Sequence, residues 1–389
     1  MGDMIRKLKG ADRVRLRPAV IFGDDGIDGA EQAAEMIMNI MVSECRHGFA
    51  DRLIITYYKD HSVRFQDNGR GIYLGSNDNN SWKNIFCELF AGGYLEKEIE
   101  KGYNFSLVEK TGCVPSHKYE EETYDDLCLC AVQYASAFMD ATICRDSEIY
   151  TLHFEKGNNI GGLIHIGSSS ESGTNIHFRL DPEVFSSIDI PNSFFIKHAH
   201  RLALLIPNAR IVVRIENEHG FDEEVFSYHG GLTEYLAKQE ADSSSSLVFY
   251  SELEAEGQER YNRPRYGAKI QVALSFCKSG GFVEVYHNWR LLSHGGTHID
   301  RLLQVIMNQV EWKLDCVVDS TSLATHLRLV VNTSTSKFGS SWVNGARKAI
   351  NNILITDMAE DCLGYDFEMY LKRNKQHIQE LIQCNVSEE

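Results

Sequence analysis

The chain has 389 residues, of which 43% are hydrophobic and 24% charged. That composition is typical of a globular protein, and the length predicts two or three domains rather than one small module. Asp and Glu total 55 against 39 Lys and Arg, for a formal net charge of −16. Because a surface of that sign repels phosphate backbones, we expect no direct binding of bulk DNA.

The cysteine content and the N-terminal segment indicate a soluble protein in a reducing, cytoplasmic setting. Ten cysteines are too few for a disulfide scaffold, and the first twenty residues lack the apolar stretch of a signal peptide. No apolar run approaches the roughly 18 residues that span a bilayer. Cys128 with Cys130, and His198 with His200, are interpreted as alternate residues of buried segments rather than as metal ligands.

The first half of the chain predicts a mixture of helices and strands. Apolar residues recur at three-and-four spacing over 30–45, which predicts a long helix with one buried face. Strands at 53–58 and 63–65 form a predicted hairpin that leads into Asp-Asn-Gly-Arg-Gly-Ile at 67–72. Further predicted elements are helices at 82–90 and 130–139 and strands within 141–154, 160–166 and 174–179.

A second series of helices and strands follows a predicted domain boundary. The charged stretch 216–224 and the glycine pair 230–231 separate the two halves. Beyond them the patterns predict a β-hairpin at 268–277 and 281–289, a helix opened by Gly-Gly-Thr-His at 295–298, a strand at 327–332, and helices at 342–355 and 367–384.

The order of motifs resembles the N-terminal ATPase and transducer region of the gyrase B and ParE subunits of bacterial type II topoisomerases. The segments that carry the resemblance lie at 8–18, 67–72, 91–93, 172–174, 181–185, 230–231 and 295–298. The resemblance implies an α+β fold. A GHKL (Bergerat-type) α/β sandwich is expected over 1–215, followed over 216–389 by a transducer domain with the ribosomal S5-like α/β fold.

The resemblance also implies a pocket for ATP or another adenine-containing ligand. Asp67 matches the aspartate that accepts a hydrogen bond from the adenine amino group, and Gly71 and Thr174 match its neighbours. Arg145 matches an arginine at the pocket mouth. The remaining predicted ligand-binding residues are Gly69, Arg70 and Ile72 of the same motif. The alternative is a turn aspartate with glycines that serve only the fold.

The resemblance further implies a glutamate base and an Mg²⁺-binding asparagine, four residues apart on the long helix. With the spacing from Gly29 to Gly48 unchanged, Met36 and Ile40 take these positions, and neither side chain can do the chemistry. Glu35 and Asn39 have the same spacing. A one-residue slip, about 100° of helix rotation, would restore Glu35 as the base and Asn39 as the metal ligand; otherwise both face elsewhere.

Three more positions around the triphosphate depart from the family pattern. Residues 126–131 contain no glycine where a glycine-rich phosphate loop is expected, and Tyr94 replaces a lysine. Residues 95–126, which take the position of the family's lid before the phosphate loop, are strongly acidic, and their role is open. After Lys337, positions 341–343 read Ser-Trp-Val where the transducer's phosphate-sensing lysine is expected.

These departures predict a stand-alone gyrase B-like protein, without toprim or DNA-cleavage domains, that binds a nucleotide or similar ligand, hydrolyses ATP poorly and acts on a gyrase or topoisomerase IV-type subunit. The alternative is the ATP-hydrolysing subunit of a split type II DNA topoisomerase. A third reading is new chemistry through Cys128, Cys130 or His117. The arm before Leu8 is short, so nucleotide-gated dimer closure is not expected and dimerisation is left open.

Overall fold

The computed structural model describes residues 10–46, 48–74, 81–89, 126–239, 245–258, 265–335, 343 and 349–382. These residues form two compact units, the first ending at Ser227 and the second beginning at Tyr228. Each unit combines helices with one β-sheet, so the predicted α+β fold class is confirmed. No described helix has the length and apolar character needed to cross a membrane.

The first unit extends beyond the boundary predicted between residues 215 and 216. Strand β7 (Arg210–Asn217) crosses that point and pairs with β8 (Gly220–Phe226), with Ile211 opposite Phe226 and Asn217 opposite Gly220. The charged stretch 216–224, interpreted from the sequence as a separator, is therefore the turn and outer strand of the first sheet. Backbone pairing, which composition does not reveal, places it there.

The described helices of the first unit are α1 (Ala11–Arg15), α2 (Pro18–Phe22), α3 (Ile27–Arg46), α4 (Ser81–Cys87), α5 (Asp126–Ala135) and α6 (Asn192–Leu205). Its other strands are β1 (Arg52–Tyr57), β2 (Val63–Asp67), β3 (Ser136–Arg145), β4 (Glu148–Glu155), β5 (Asn158–Ser168) and β6 (Gly173–Leu180). The strands form one sheet in the order β5-β4-β3-β6-β2-β1-β7-β8. Neighbours are antiparallel except β1 and β7.

The predicted hairpin and long helix are confirmed, and they position the candidate site. β1 and β2 pair antiparallel, with Tyr57 opposite Val63, and the Asp60 carboxylate accepts bonds from the backbone and side chain of Ser62 in the turn. Helix α3 buries its apolar face against this hairpin and α5. The end of β2 thereby presents Asp67 beside α3.

Both residue pairs considered as metal ligands lie on helices. His198 and His200 are half-buried on α6, and Cys130 is buried on α5. The His198 Nδ1 atom donates to the carbonyl oxygen of Phe194 over 2.9 Å, with the ring tautomer set accordingly. The two members of each pair are therefore two residues apart on a helix, so they lie on different sides of it.

The described helices of the second unit are α7 (Gly231–Gln239), α8 (Thr297–Leu314), α9 (Ser320–His326), α10 (Ile353–Asp361), α11 (Gly364–Arg373) and α12 (Lys375–Leu381). Its strands are β9 (Phe249–Gly257), β10 (Tyr266–Phe276), β11 (Phe282–His287), β12 (Arg290–Leu291) and β13 (Leu327–Thr335), in the sheet order β12-β11-β13-β10-β9. The buried faces of β10, β13 and α8 form the centre of its core.

Strands β10 and β11 are present, but the hairpin predicted between them is wrong. β13 lies between the two strands, antiparallel to β10 and parallel to β11. The backbone N–H groups of Cys277 and Gly281 donate to the carbonyl oxygens of His326 and Thr325, over 2.8 Å each. These bonds hold the connection against the start of β13, so the local turn does not bring β10 and β11 together.

Of the helix predicted over 342–355, the described part begins at Ile353. Ile350 forms a β-bridge with Gly296, and the Asn352 side chain caps α10 by accepting from the N–H of Ile355 over 3.2 Å. An asparagine at this position satisfies a backbone donor that the first helical turn leaves unpaired. Residues 344–348 of the predicted helix lie outside the described residues.

Among the buried imidazoles of the second unit, those of His287 and His298 are the least exposed. His287 and His298 are each 1% exposed, and His287 Nδ1 lies 2.9 Å from the Thr333 hydroxyl. Burial lowers the pKa of His287 to about 3, with a smaller contribution from His298, and lowers the pKa of His298 to about 4. Both rings are therefore neutral at physiological pH.

Candidate functional site

The site is built around Asp67, the last residue of β2. Its side chain is 6% exposed, and Oδ1 accepts bonds from the backbone N–H groups of Gly69 at 2.7 Å and Thr174 at 3.4 Å. Among the described residues, Oδ2 accepts no bond. An aspartate held in this way keeps one oxygen for a donor on a ligand, such as an exocyclic amino group.

Burial also changes the protonation of Asp67. Desolvation raises the pKa of this carboxyl to about 7, the nearby negative charge of Glu44 adds to the rise, and the bonds from Gly69 and Thr174 oppose it. Near neutral pH the group is thus close to the point at which it changes from acid to carboxylate. Only the carboxylate presents acceptors at both oxygens.

Two glycines let backbone segments approach Asp67 closely. Gly71 has φ +78°, and a Cβ there would lie 2.5 Å from the carbonyl oxygen of Cys144. Gly173 has φ +147°, and a Cβ there would lie 2.3 Å from the carbonyl oxygen of Asp67. The motif glycines therefore serve the packing of the loop on β3 and β6, which supports the fold-based interpretation of these residues alongside the ligand-based one.

The structure brings the other residues that were predicted to line the adenine pocket to the same loop. The Thr174 hydroxyl accepts from the N–H of Ile72 over 3.1 Å, so a side chain on β6 fixes the loop after Gly71. Arg145, at the end of β3, donates to the carbonyl oxygen of Gly71 over 2.6 Å and lies 5.2 Å from the ring of Tyr73. Asp67, Gly71, Ile72, Arg145 and Thr174 thus form one connected group.

Arg70 differs from its neighbours in the motif, because its side chain is held by the protein. The Glu44 carboxylate accepts from the backbone N–H, Nε and NH2 group of Arg70, over 2.9, 3.0 and 2.6 Å. The guanidinium also stacks 3.5 Å above the ring centre of Phe49. A paired and stacked arginine of this kind stabilises the loop, and the sequence prediction of Arg70 as a ligand contact has no support here.

Close contacts near both ends of α3 fix which of its residues face the Asp67 loop. A Cβ on Gly29 would lie 2.1 Å from the carbonyl oxygen of Asp24, and a Cβ on Gly69 would lie 2.8 Å from the Glu44 side chain. The helix therefore packs tightly near its start and near its end. A slip by one residue would move both contacts.

In this register Glu35 faces away from the Asp67 loop. Nine residues separate Glu35 from Glu44, so the two side chains project from roughly opposite sides of the helix. The Glu35 carboxylate accepts from Arg201 over 3.4 Å and lies 4.0 Å from His198, both on α6. Asn39, one turn along the same side, is buried with 7% exposure. The structure therefore does not bring Glu35 and Asn39 to Asp67.

Met36 and Ile40 lie nearer the side of α3 that carries Glu44. They precede Glu44 by eight and four residues, which places them within roughly 80° and 40° of it around the helix axis. Both are half-buried. Neither side chain has a proton acceptor or an oxygen ligand for a hard cation, so Met36 and Ile40 do not fit the roles of base and Mg²⁺ ligand.

Several sequence predictions fall outside the described residues. These are Tyr94, the lid at 95–125, His117, Lys337, Ser341 and Trp342, and the side chains of residues 126–128. The start of α5 is described as helix from Asp126, with Cys130 and Ala131 buried.

Both the sequence and the structure of the chain are similar to those of B subunits of bacterial type II topoisomerases. It is 24% identical over 307 residues to the DNA gyrase B subunit of Chlamydia muridarum, covering 76% of this chain and 35% of the relative. It is 27% identical over 305 residues to the DNA topoisomerase 4 B subunit of Bacillus subtilis, covering 76% and 41%. No family model matches the sequence.

Solved structures give the same answer for the fold. The 43K ATPase domain of Thermus thermophilus gyrase B, solved with an aminocoumarin, matches over 97% of this chain and 94% of its own, with TM-score 0.72 and 19% identity. The gyrase B-subunit of Myxococcus xanthus matches with TM-score 0.72 and 15% identity, over 96% and 99%.

The chain resembles the N-terminal ATPase and transducer region of gyrase B. The predicted GHKL fold is thereby confirmed for this gyrase B-like chain. The chain spans about a third to two fifths of the length of the curated relatives it matches.

Sequence reasoning missed Glu44, whose contacts with Arg70 support the whole motif. A signal was present, because an acidic residue two turns after Met36 on the same side of a predicted helix can reach an arginine in the following loop. It also missed Arg201 and His198, which hold Glu35. No sequence spacing indicates those contacts, since α6 follows α3 by well over a hundred residues.

Proposed function

We propose that this gyrase B-like chain binds an adenine-containing ligand at the Asp67 loop, hydrolyses ATP negligibly, and acts on a topoisomerase-type partner. The observation that carries the proposal is the position of Glu35. Its carboxylate pairs with Arg201 on α6, while the side of α3 nearer the loop offers Met36 and Ile40.

The part of the candidate site that would hold the adenine base is intact, and it supports ligand binding. Asp67 Oδ1 is occupied by two backbone donors, which directs Oδ2 to a ligand donor, and Gly71, Ile72 and Thr174 complete the surrounding backbone. A group that donates an amino hydrogen, as adenine does, matches a carboxylate oxygen of this kind. The Francisella tularensis topoisomerase IV domain that shares the fold is named an ATP-binding domain.

The loss of hydrolysis follows from the chemistry of the side chains near the loop. A general base contributes on the order of 10²–10⁴ in rate, and neither a thioether nor an alkyl group replaces one. Without a metal ligand, the charge that develops on the phosphates also lacks its usual stabilisation. A bound nucleotide would therefore remain unhydrolysed, and the protein would work by occupancy of the pocket or by contact with its partner.

The partner is proposed from the relatives. The proteins that this chain resembles are named as subunits of DNA gyrase and topoisomerase IV, which makes a subunit of such an enzyme the first candidate. The alternative is an ATP-hydrolysing subunit of a split type II topoisomerase, and it requires Glu35 to act as the base.

Thermal unfolding with adenosine, ATP, and ATP plus Mg²⁺ tests the proposal. A ligand that is held through its adenine base alone has the same affinity with or without phosphates and metal, so it raises the melting temperature similarly in all three cases at equal ligand concentration. Asp67→Asn should abolish the shift, because its amide places a donor opposite the adenine amino group. The matched control is Asp140→Asn, at a half-exposed carboxylate on β3.

An ATPase assay separates the proposal from its alternative. We expect a negligible rate for the wild-type chain and no change in Glu35→Ala. A measurable Mg²⁺-dependent rate that Glu35→Ala abolishes would show that Glu35 reaches the nucleotide, and the split-topoisomerase function would replace the proposed one.

A further inference from the structure

One face of the first sheet carries two arginines on neighbouring strands. Phe65 of β2 and Phe178 of β6 are buried on the face against which α3 and α5 pack. Because successive side chains of a strand point to opposite faces, Arg64 and Arg179 lie on the other face. Both arginines are half-buried, and their strands pair directly.

The described residues give these two guanidiniums no hydrogen-bond acceptor. No hydrogen bond or ion pair joins Arg64 to a described residue, and its Nε atom is buried without a partner. The Nε atom of Arg179 is buried in the same way, and its one ion pair within the described residues, with Asp60, is long at 3.9 Å. Because half-buried donors without an acceptor are costly in free energy, these two side chains are suited to an external acceptor.

Both guanidiniums lie near the turn that joins β1 to β2. The Arg64 guanidinium is 5.6 Å from the ring centre of Tyr58, which directly follows β1. The Arg179 guanidinium is 5.7 Å from the ring centre of Phe138 on β3, and it faces Asp60 in the turn. Cation–π contacts of this kind hold an arginine in place without using its N–H donors.

His177 sets the spacing between the two arginines. It lies opposite Arg64 and precedes Arg179 by two residues on β6, so the Cα atoms of the arginines are about 7–8 Å apart, within reach of one ligand group. Its Nε2 atom donates to the Ser62 hydroxyl over 3.0 Å, since that hydroxyl donates its own hydrogen to Asp60. Burial lowers the pKa of His177, and Arg64 lowers it further, so the ring is neutral at pH 7 and the arginines carry the positive charge.

The ligand class that fits these donors is a small phosphate. Its three outer oxygens accept from two guanidiniums at once, whereas a planar carboxylate pairs with one. Asp60 offsets only one of the two positive charges, and Asp140, on the other side of β6, is bonded to His153 over 2.6 Å. A polynucleotide does not fit, because arginines lie over the rings of Tyr58 and Phe138 and the net charge of −16 repels a long phosphate backbone.

We infer that Arg64 and Arg179 bind the phosphate group of a small ligand, on the face of the first sheet opposite α3. The site is separate from the Asp67 loop, because Asp67 lies on the face that α3 covers. The ring of Phe221, which is 49% exposed and 5.9 Å from that of Tyr58, offers an apolar contact for the group that carries the phosphate.

Isothermal titration of the full chain with inorganic phosphate and with phenyl phosphate, at constant ionic strength, tests this inference. The wild type should bind both compounds. Arg64→Gln and Arg179→Gln should each raise the dissociation constant at least roughly tenfold, since each removes charge-assisted bonds to the phosphate. The matched control is Arg214→Gln, on the same face of the sheet, because Arg214 already pairs with Glu223 over 2.8 Å. It should bind like the wild type.

Modification of arginines by phenylglyoxal, read by peptide mass spectrometry, provides a second readout on the wild-type chain. Phosphate should slow the modification of Arg64 and Arg179 but not that of Arg214. Tighter binding of phenyl phosphate than of inorganic phosphate, with the difference lost in Phe221→Ala, identifies an organic phosphate as the ligand, and equal binding identifies inorganic phosphate. Asp67→Asn should bind phosphate like the wild type, which separates this site from the proposed adenine pocket.

Three results would overturn the inference. The first is a wild-type chain that binds neither compound, and the second is binding that both arginine variants retain. The third is a single-stranded oligonucleotide that binds through these arginines more tightly than either phosphate does at the same ionic strength. Circular dichroism checks that the variants are folded.

Discussion

At the scale of single residues, Asp67 determines what the candidate site can bind and at which pH. Its carboxyl is buried, one oxygen is occupied by backbone donors, and its pKa is raised to about 7. A ligand amino group requires the carboxylate, so binding should weaken as the pH falls below 7. The same residue therefore links ligand affinity to protonation.

Asp67 also has a predictable effect on stability. Because the folded pKa lies above the unfolded value, the folded state holds a proton that the unfolded state has released between pH 4 and 7. The contribution of Asp67 to the free energy of unfolding is therefore lost as the pH rises through this range, by roughly 4 kcal/mol for three pKa units.

Asp67→Asn removes this titration. Relative to the wild type, the variant should gain stability as the pH rises from about 4 to 7, and the difference should be constant above pH 8. Urea unfolding at a series of pH values measures it, with Asp222→Asn, at an exposed carboxylate on β8, as the control. A stability difference that does not vary with pH would contradict the raised pKa.

At the scale of elements, the register of α3 depends on contacts at both of its ends. Glu44 joins the helix to the loop through three bonds to Arg70, and Gly29 packs on the backbone of Asp24. Glu35 contacts α6 from the other side of the helix. These contacts give each side of α3 a different partner.

A double-mutant cycle of Glu44→Ala and Arg70→Ala tests the anchoring. Charge-assisted bonds to a half-buried guanidinium predict a coupling of roughly 1–3 kcal/mol in the free energy of unfolding. The cycle of Glu35→Ala and Arg201→Ala, which removes one longer contact, should give a smaller coupling and leave adenosine binding unchanged. Equal couplings in the two cycles would argue against Glu44 as the main anchor.

The sequence predicted the elements whose signals are local. The apolar spacing of α3 and the alternation of β1 and β2 lie within short windows. The family resemblance, and no local pattern, connected Asp67 with Thr174, whose N–H donates to the Asp67 carboxylate. The position of β13 between β10 and β11 depends on bonds from Cys277 and Gly281 to residues far along the chain. No window of the sequence contains both partners, and the same holds for Glu35 and α6.

At the scale of the whole molecule, the chain consists of two units that each have a sheet and a core. The first extends to Ser227 because β8 completes its sheet by pairing with β7, whose Val212 and Val213 are buried. The sequence predicted two units, but it could not place the end of the first, since a highly charged outer strand has the composition of a linker.

Truncation tests this division. A fragment that ends at Ser227 should be folded, with cooperative thermal unfolding by circular dichroism. One that ends at Ile215 loses the pairing of β8 with β7 and should be less stable by several degrees or fail to fold. If the shorter fragment is as stable as the longer one, β8 contributes nothing and the earlier boundary is the better one.

The buried imidazoles of His287 and His298 respond to acid in the opposite sense to the buried carboxyl of Asp67. Between pH 6.5 and about 4, unfolded histidines take up protons that His287 and His298 exclude, so the second unit loses stability as the pH falls. Asp67 acts in the reverse sense in the first unit. A buffer near pH 5 therefore weakens the contribution of His287 and His298 to the second unit while it strengthens that of Asp67 to the first, so storage or crystallisation at that acidity disfavours the packing around the two imidazoles.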